Sequence, residues 1–358
     1  MKAWRLYGPG DFRLDEVPVP KIEARSVLVK VKVVQPSVTD TEVIKGEVIT
    51  PSSRQTLAEG KPVQRGHEYC GEVVEIGGGV TSLQVGDRVS SAGAVYCGSC
   101  RMCLLGRHSE CLSPHQIGGD IPGAFAEYMC LPEVGVVKIP DGPTDNEVAA
   151  LQPLTSCTGS VYSAEIHMGD TVVVLGQGVM GLGVLQVARL AGAGLLIAVD
   201  VRPKNLDLSS KYGASHTINA KQTDVLAEVS RLTGDSGADI VFDAAGGGPK
   251  YGLSGFETVQ QAFQMIRSGG KVIESAGLEG TLELNIGPMQ RNKIRYILPL
   301  RGSTEFLKLA AFWVANGRIQ LGPQITHVLN GLENLTQAVE ITENKAKYGA
   351  INPAQVVL

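Results

Sequence analysis

The sequence lacks any run of about eighteen consecutive apolar residues, so we predict no helix that crosses a membrane. The formal net charge is only −4, which gives no basis for binding nucleic acid or an anionic membrane surface. Residues 1–16 lack the apolar core of a secretory signal, and we therefore expect a cytoplasmic protein. These features give no support for nucleic acid or a membrane as a partner.

The chain does have the length and composition of a substantial globular protein. Its 358 residues predict two domains, and 43% hydrophobic residues with 44 glycines are typical of an α/β protein. Of the seven cysteines, four lie within residues 97–111. Such crowding argues against a disulfide framework spread over the chain.

A strand–helix–strand pattern dominates the middle of the chain. The run Thr171–Leu175 is rich in β-branched residues and predicts a buried parallel strand. An apolar-periodic helix is predicted over Leu182–Ala191, and a second buried strand over Leu195–Val199. Further alternation, with strands at Asp239–Ala244 and Lys271–Ser275, predicts a doubly wound parallel sheet.

Three glycines join the first strand to the helix at G-x-G-x-x-G spacing. Gly176 permits the tight turn, Gly178 lets a pyrophosphate approach the backbone, and Gly181 allows close packing of helix and strand. Asp200, at the end of the second strand, would bind the adenosine ribose hydroxyls and repel a 2′-phosphate, which favours NAD over NADP. The predicted cofactor contacts are Gly176, Gly178, Val179, Met180, Gly181, Asp200 and Arg202.

The flanking segments differ in character. Alternating valines in Val27–Val34 predict antiparallel β structure near the N-terminus, and residues 48–65 are polar enough to predict a surface loop. We expect domains at residues 1–150 and 151–297, with residues 298–358 returning to the first domain.

The cysteine-rich segment has the spacing of a metal site. Thiolates of Cys97, Cys100 and Cys103 can converge on one ion, and Cys111 can complete a tetrahedron. Chance clustering and an iron–sulfur centre are the alternatives, but the absence of a following proline disfavours a cluster. A closed site of four thiolates predicts structural zinc in a lobe over residues 93–115.

These motifs resemble the medium-chain dehydrogenase/reductase family, in its zinc-containing alcohol and polyol dehydrogenase branch. The resemblance rests on Gly66-His67-Glu68, the four-cysteine lobe, Gly123–Tyr128, and the glycine turn with Asp200. It implies a GroES-like β-rich catalytic domain, a Rossmann NAD-binding domain, and a site in the cleft between them. Members of this family are usually homodimers or homotetramers.

The resemblance also exposes substitutions at the family's catalytic zinc. Ser37 stands where the family has a cysteine ligand, and Gln152 stands where polyol-type members have a glutamate. His67, with Glu68 as the nearby anion, could still hold zinc, although neutral oxygens are weak ligands, so this zinc stays an open question. Asp40 is expected to hydrogen-bond the second ring nitrogen of His67 and keep the imidazole protonated.

The function that the resemblance implies is NAD(H)-dependent interconversion of a secondary alcohol and its ketone. Thr39 would hydrogen-bond the substrate oxygen, and His67, with or without zinc, would place positive charge near it. The predicted catalytic residues are Ser37, Thr39, Asp40, His67, Glu68 and Gln152. A reductase of activated C=C bonds on the same fold and a catalytically silent NAD-binding protein are the alternatives.

Overall fold

The computed structural model describes residues 1–48, 51–245, 256–278 and 280–358. The chain forms two compact units: Met1–Thr155 together with Gly302–Leu358, and Ser156–Arg301. Within the described ranges, no helix combines the length and apolar character that crossing a membrane requires.

Strands and helices are numbered along the chain. The described strands are β1 Lys2–Gly8, β2 Asp11–Glu16, β3 Ser26–Gln35, β4 Val63–Gln64, β5 Glu68–Ile76, β6 Arg88–Ser91, β7 Ala94–Val95, β8 His115–Gln116, β9 Tyr128–Pro132, β10 Val136–Lys138, β11 Thr171–Leu175, β12 Leu195–Asp200, β13 His216–Asn219, β14 Ala238–Asp243, β15 Ile266–Glu274, β16 Arg295–Ile297, β17 Val328–Asn330 and β18 Gln355–Val357. The described α-helices are α1 Val38–Lys45, α2 Pro51–Ala58, α3 Arg101–Leu104, α4 Asp145–Ala149, α5 Leu151–Ala164, α6 Val179–Leu190, α7 Pro203–Lys211, α8 Val225–Leu232, α9 Glu257–Met265, α10 Ile286–Arg291, α11 Thr304–Ala315, α12 Leu335–Glu343 and α13 Lys345–Tyr348.

The first unit is rich in antiparallel β structure. Its main sheet follows the order β10-β6-β5-β3-β18-β17, and β9 also pairs with β3. Strand β3 contains the alternating valines and pairs antiparallel with β5 and β9, as predicted. Its core includes Tyr69, Phe125 and Met129, which are fully buried. This sheet brings Gln35, at the end of β3, opposite Glu68, at the start of β5.

The second unit is a parallel sheet in the order β13-β12-β11-β14-β15-β16. The described pairings within it are all parallel, and helix α6 connects β11 to β12. This strand order is that of a doubly wound dinucleotide-binding sheet, and its switch point lies between β11 and β14. The predicted Rossmann sheet and the predicted β-rich domain are both present.

The predicted surface loop over residues 48–65 is wrong. Part of it forms helix α2, Pro51–Ala58, and part forms the short strand β4, Val63–Gln64. Proline is tolerated at the first position of a helix, because its missing N–H has no partner there anyway. Pro51 therefore begins a helix here, whereas its presence in a polar segment had suggested a loop.

Candidate active site

Helix α1 begins with a capping box formed by Ser37 and Asp40. The Ser37 hydroxyl accepts a hydrogen bond from the Asp40 amide at 3.0 Å, which satisfies one of the open N–H groups at the helix start. In return, the Asp40 Oδ2 accepts from the Ser37 amide at 3.1 Å and from the Ser37 hydroxyl at 2.8 Å. The Ser37 hydroxyl is thus already engaged in holding the helix start.

A buried arginine that sequence reasoning missed lies beside this cap. Arg65 Nη2 donates to Asp40 Oδ1 at 2.9 Å, and Nη1 donates to the Gly118 carbonyl at 2.5 Å. The two side chains are 5% and 0% exposed, so this is a buried ion pair. Burial alone would raise the pKa of Asp40, but the neighbouring His67 and Arg65 and the Ser37 hydrogen bonds lower it. A signal for Arg65 was present: a charged residue immediately precedes Gly66-His67-Glu68.

The imidazole of His67 faces the same carboxylate. Its Nδ1 lies 3.6 Å from Asp40 Oδ2, which is too long for a hydrogen bond, so the expected bond is absent. Burial, opposed by Asp40 and reinforced by Arg65, lowers the pKa of His67, which is neutral near pH 7. The expectation that Asp40 keeps this imidazole protonated is therefore wrong, because the effect of burial outweighs the attraction of the carboxylate and Arg65 adds to the lowering of the pKa.

Gln152 and His67 converge on Gly93. A Cβ atom built on Gly93 would lie 3.0 Å from Gln152 Nε2 and 3.2 Å from His67 Cδ2, so both side chains reach the space beside this glycine. Gln152 also donates to the Ala92 carbonyl at 3.3 Å. Thr39, in the first turn of α1, is exposed and has no hydrogen-bond partner among the residues that the structure describes. These groups offer neutral donors and acceptors rather than charges.

Glu68 faces a different set of side chains. Because Gln35 and Glu68 are opposite each other across β3 and β5, the Gln35 amide donates to the Glu68 carboxyl. Gln35 in turn accepts from Gln355 at 2.9 Å and from Asn352. Burial raises the pKa of Glu68 to about 8, against the lowering effect of Gln35. Glu68 is therefore held in a buried network of amides.

The described residues around His67 do not fit a catalytic zinc. Within the described ranges, the four cysteines are the only group of three or more His, Cys, Asp and Glu side chains close enough to share an ion. Ser37 and Gln152 are neutral, and the Glu68 carboxyl is bonded to Gln35. Zinc prefers thiolate, imidazole and carboxylate, and only the imidazole of His67 remains available here.

The cysteine lobe does have the geometry of a zinc site. The sulfur atoms of Cys97, Cys100, Cys103 and Cys111 all lie within 4.8 Å of one another, with the pair Cys100–Cys103 at 3.5 Å. Four sulfurs bound to a tetrahedral zinc at about 2.3 Å are separated by about 3.8 Å, which matches this spacing. The amide N–H groups of Ser99 and Cys100 lower the pKa of the Cys97 thiol to about 6, which favours the thiolate there, whereas burial raises the pKa of the Cys103 thiol to about 12.

The glycine turn of the second unit satisfies the requirements of a pyrophosphate site. Gly176 has φ +81°, and a Cβ on Gly181 would lie 1.7 Å from the Gly176 carbonyl oxygen, so neither position accepts a side chain. Gly178 faces open space, with no atom within 4 Å of the position of a Cβ. It is the N-cap of α6, whose first residues are Val179 and Met180, and their amides are available to phosphate.

Asp200 closes this turn from the end of β12. Its Oδ2 accepts from the Gln177 amide at 2.7 Å and from Asn205 at 3.2 Å. Its Oδ1 accepts from the Arg202 amide at 2.7 Å, and the Arg202 guanidinium lies 3.7 Å away. A carboxylate has about four acceptor positions, so Asp200 retains capacity for a ribose hydroxyl.

Comparisons with known proteins decide the family. Residues 23–141 match the alcohol dehydrogenase GroES-like domain, and residues 179–315 match the zinc-binding dehydrogenase domain. An L-threonine 3-dehydrogenase of Sinorhizobium fredii is 31% identical over 319 residues, covering 88% of this chain and 87% of that protein. The chain belongs to the zinc-containing alcohol and polyol dehydrogenase family of medium-chain dehydrogenases. The chain is also similar to a sorbitol dehydrogenase of Bacillus subtilis, with 29% identity over 82% of this chain and 80% of that protein.

A solved structure extends the similarity to the whole chain. A zinc-binding dehydrogenase of Sinorhizobium meliloti, solved with NADP, superposes with a TM-score of 0.86 and 29% identity, covering 100% of this chain and 99% of that one. As a member of the family, the chain is an oxidoreductase that uses a nicotinamide dinucleotide and has a cysteine lobe suited to structural zinc. The roles of individual site residues stay predictions.

Proposed function

We propose that this chain is an NAD(H)-dependent dehydrogenase that interconverts a secondary alcohol, cyclic or polyhydroxylated, and its ketone. The observation that carries the proposal is the convergence of His67 and Gln152 on Gly93, in the same unit as the exposed Thr39 hydroxyl. Neutral groups of this kind suit an uncharged hydroxyl or carbonyl oxygen. The named relatives support this class, since carbon 3 of L-threonine bears a secondary hydroxyl and sorbitol is a polyol.

The chain's own residues account for the proton that the reaction releases. The bound cofactor supplies the hydride chemistry. The carboxylate of Asp40, 3.6 Å from Nδ1 of His67, favours by its charge the tautomer with the proton on Nδ1, in which Nε2 is the acceptor. Nε2 then accepts the proton of the substrate hydroxyl in the oxidation direction, while Thr39 hydrogen-bonds the same oxygen. A neutral imidazole, which burial favours, is the form that this step needs.

Substrate profiling with NAD tests the proposal. A panel of threonine, linear and cyclic polyols and simple secondary alcohols should contain a substrate, and His67→Ala and Thr39→Ala should each lower kcat/KM by about 10² or more. Thr223→Ala is the matched control, because Thr223 is an exposed threonine of the other unit. Near-normal turnover in both site variants would refute the assignment.

The alternative of C=C reduction is supported by one observation, the neutral character of the ligand positions Ser37 and Gln152. Reduction of an enone needs only a hydrogen bond to its carbonyl. Consumption of NADH with an enone, and with no alcohol in the panel, would favour this reaction over the leading proposal.

The remaining proposals concern assembly and location. We propose a catalytic domain of residues 1–150 and 298–358, an NAD-binding domain of residues 151–297, and a homodimer or homotetramer, which light scattering on the purified chain tests. A reducing compartment such as the cytoplasm is proposed, because the four cysteines of the zinc lobe must stay reduced to bind metal.

A further inference from the structure

Three side chains of the first unit that would have to bind a catalytic zinc, or offset its charge, already interact with other residues. The first is the Ser37 hydroxyl, which directs its proton to Asp40 Oδ2 at 2.8 Å and accepts the Asp40 amide at 3.0 Å. A metal bound to Ser37 would have to break this capping box or use the one remaining lone pair of a neutral oxygen. The residue in the position of the family's cysteine is thus a helix cap.

The second group is the Glu68 carboxyl, which strand register turns toward Gln35. The antiparallel pairing of β3 and β5 places these two residues opposite each other, and Gln35 is itself held by Gln355 and Asn352. All four side chains are at least nine-tenths buried. To reach a metal beside His67, Glu68 would have to leave this network and strand the Gln35 amide without a partner, which is unfavourable in a buried site.

The third group is Asp40, whose charge is already balanced. Arg65 is fixed by three contacts, to Asp40 Oδ1 at 2.9 Å, to the Gly118 carbonyl at 2.5 Å and to the Ser53 hydroxyl at 3.3 Å. A divalent ion on His67 would add charge beside a buried guanidinium, with no uncompensated anion near it among the described residues. Burying unbalanced charge is strongly unfavourable.

We infer that the site around His67 binds no catalytic zinc, and that the chain holds a single zinc, in its cysteine lobe. The fixed positive charge beside Asp40 is the Arg65 guanidinium, and the site works as a metal-free arrangement of His67, Gln152 and Thr39. The inference rests on the proposed function only in placing the reaction at this site. Metal counting needs no substrate, so it can fail while the dehydrogenase proposal stands, and the reverse also holds.

Zinc content of the full-length protein tests the inference. Wild type and His67→Asn are saturated with zinc, desalted, and measured by inductively coupled plasma mass spectrometry. The expected result is one zinc per chain in both, because His67 holds none. Loss of one zinc in His67→Asn relative to wild type would overturn the inference.

A variant with restored ligands tests whether the missing thiolate and carboxylate are the reason that no zinc binds beside His67. Ser37→Cys combined with Gln152→Glu restores a thiolate and a carboxylate beside His67, and this variant should bind one zinc more than wild type. A folded double variant, checked by circular dichroism, that binds no additional zinc would overturn the reasoning from the ligands.

X-ray absorption on the zinc-loaded wild type gives a reading that depends on no variant. One site of four thiolates predicts a first shell of sulfur alone, at about 2.3 Å. A nitrogen or oxygen shell at about 2.0–2.1 Å, making up a substantial share of the ligands, would show a second zinc and overturn the inference.

Discussion

Replacing Arg65 with methionine tests the central electrostatic feature of the candidate active site. The change leaves Asp40 completely buried, with the Ser37 hydrogen bonds but without its cation. Removing one partner of a buried ion pair costs about 3–5 kcal/mol. For a unit of about 200 residues, each kcal/mol shifts Tm by about 2–4 °C, so we expect a fall of about 6–20 °C. Urea unfolding and differential scanning calorimetry on the full chain measure both quantities.

The pH dependence of this loss identifies its cause. In the wild type the pKa of Asp40 is lowered, so its contribution to stability is present above the unfolded pKa of about 4 and is lost as the pH falls through the folded pKa. In Arg65→Met the pKa of Asp40 rises relative to the wild type, because Arg65 no longer opposes the effect of burial. The difference in stability between variant and wild type should therefore be largest at neutral pH and shrink as the pH falls through the pKa of Asp40 in the variant.

The control removes both charges. Arg65→Met combined with Asp40→Asn keeps a side-chain oxygen that can accept from the Ser37 amide and hydroxyl and leaves neither charge of the pair, so it should recover most of the lost stability. A loss below about 1 kcal/mol in the single variant, a loss independent of pH, or a double variant no more stable than the single one would each refute the reasoning.

Other parts of the molecule give independent predictions. Gly181→Ala should weaken NADH binding at least about tenfold in a fluorescence titration, because its Cβ would lie 1.7 Å from a carbonyl oxygen; unchanged affinity would contradict the turn geometry. Asp200→Ala should weaken NADH binding more than NADPH binding, so an unaltered ratio of the two dissociation constants would exclude its role in selection. Cys100→Ser should release zinc and lower Tm, measured by metal analysis and calorimetry, and full zinc retention would argue against a four-thiolate site. Burial, assisted by Asp243, raises the pKa of Glu274 to about 8, so the stability of the wild type should fall as the pH rises from about 4.5 through 8. Glu274→Gln should flatten that fall when stability is measured by urea unfolding at several pH values. The same dependence of stability on pH in the variant and the wild type would contradict this.

The glycine turn could be predicted because its requirements are local. The positive φ of Gly176 is a property of the turn itself, and Gly181 meets the Gly176 carbonyl five residues before it, although the space beside Gly176 is filled by the distant Ala245. The cysteine lobe likewise lies within residues 97–111. The elements of this sheet are also recognisable from local sequence, since β11 is a short continuous apolar run and α6 is a longer, predominantly apolar segment that follows the glycine turn.

The electrostatics of the candidate active site could not be predicted, because they depend on pairings between distant parts of the chain. Arg65 is 25 residues from Asp40 and 53 from Gly118, so neither partner is apparent from spacing. Glu68 was expected near a metal, yet its direction depends on the register of β3 against β5, which brings Gln35 opposite it. The sequence motif around His67 and Glu68 shows which residue types are present, but it does not show which distant side chains form hydrogen bonds or ion pairs with them.

The carboxylate of Asp200 also has a consequence for attempts to redesign the enzyme. The side chain that would choose between the two nicotinamide cofactors also holds the Gln177 amide, inside the phosphate-binding turn, and the Arg202 amide that follows β12. Replacing Asp200 to admit the 2′-phosphate of NADP would therefore remove hydrogen bonds that hold the backbone of the turn, and this turn has to bind either cofactor. Laboratory evolution toward the other coenzyme should first acquire substitutions that rebuild the turn, and only afterwards those that change preference.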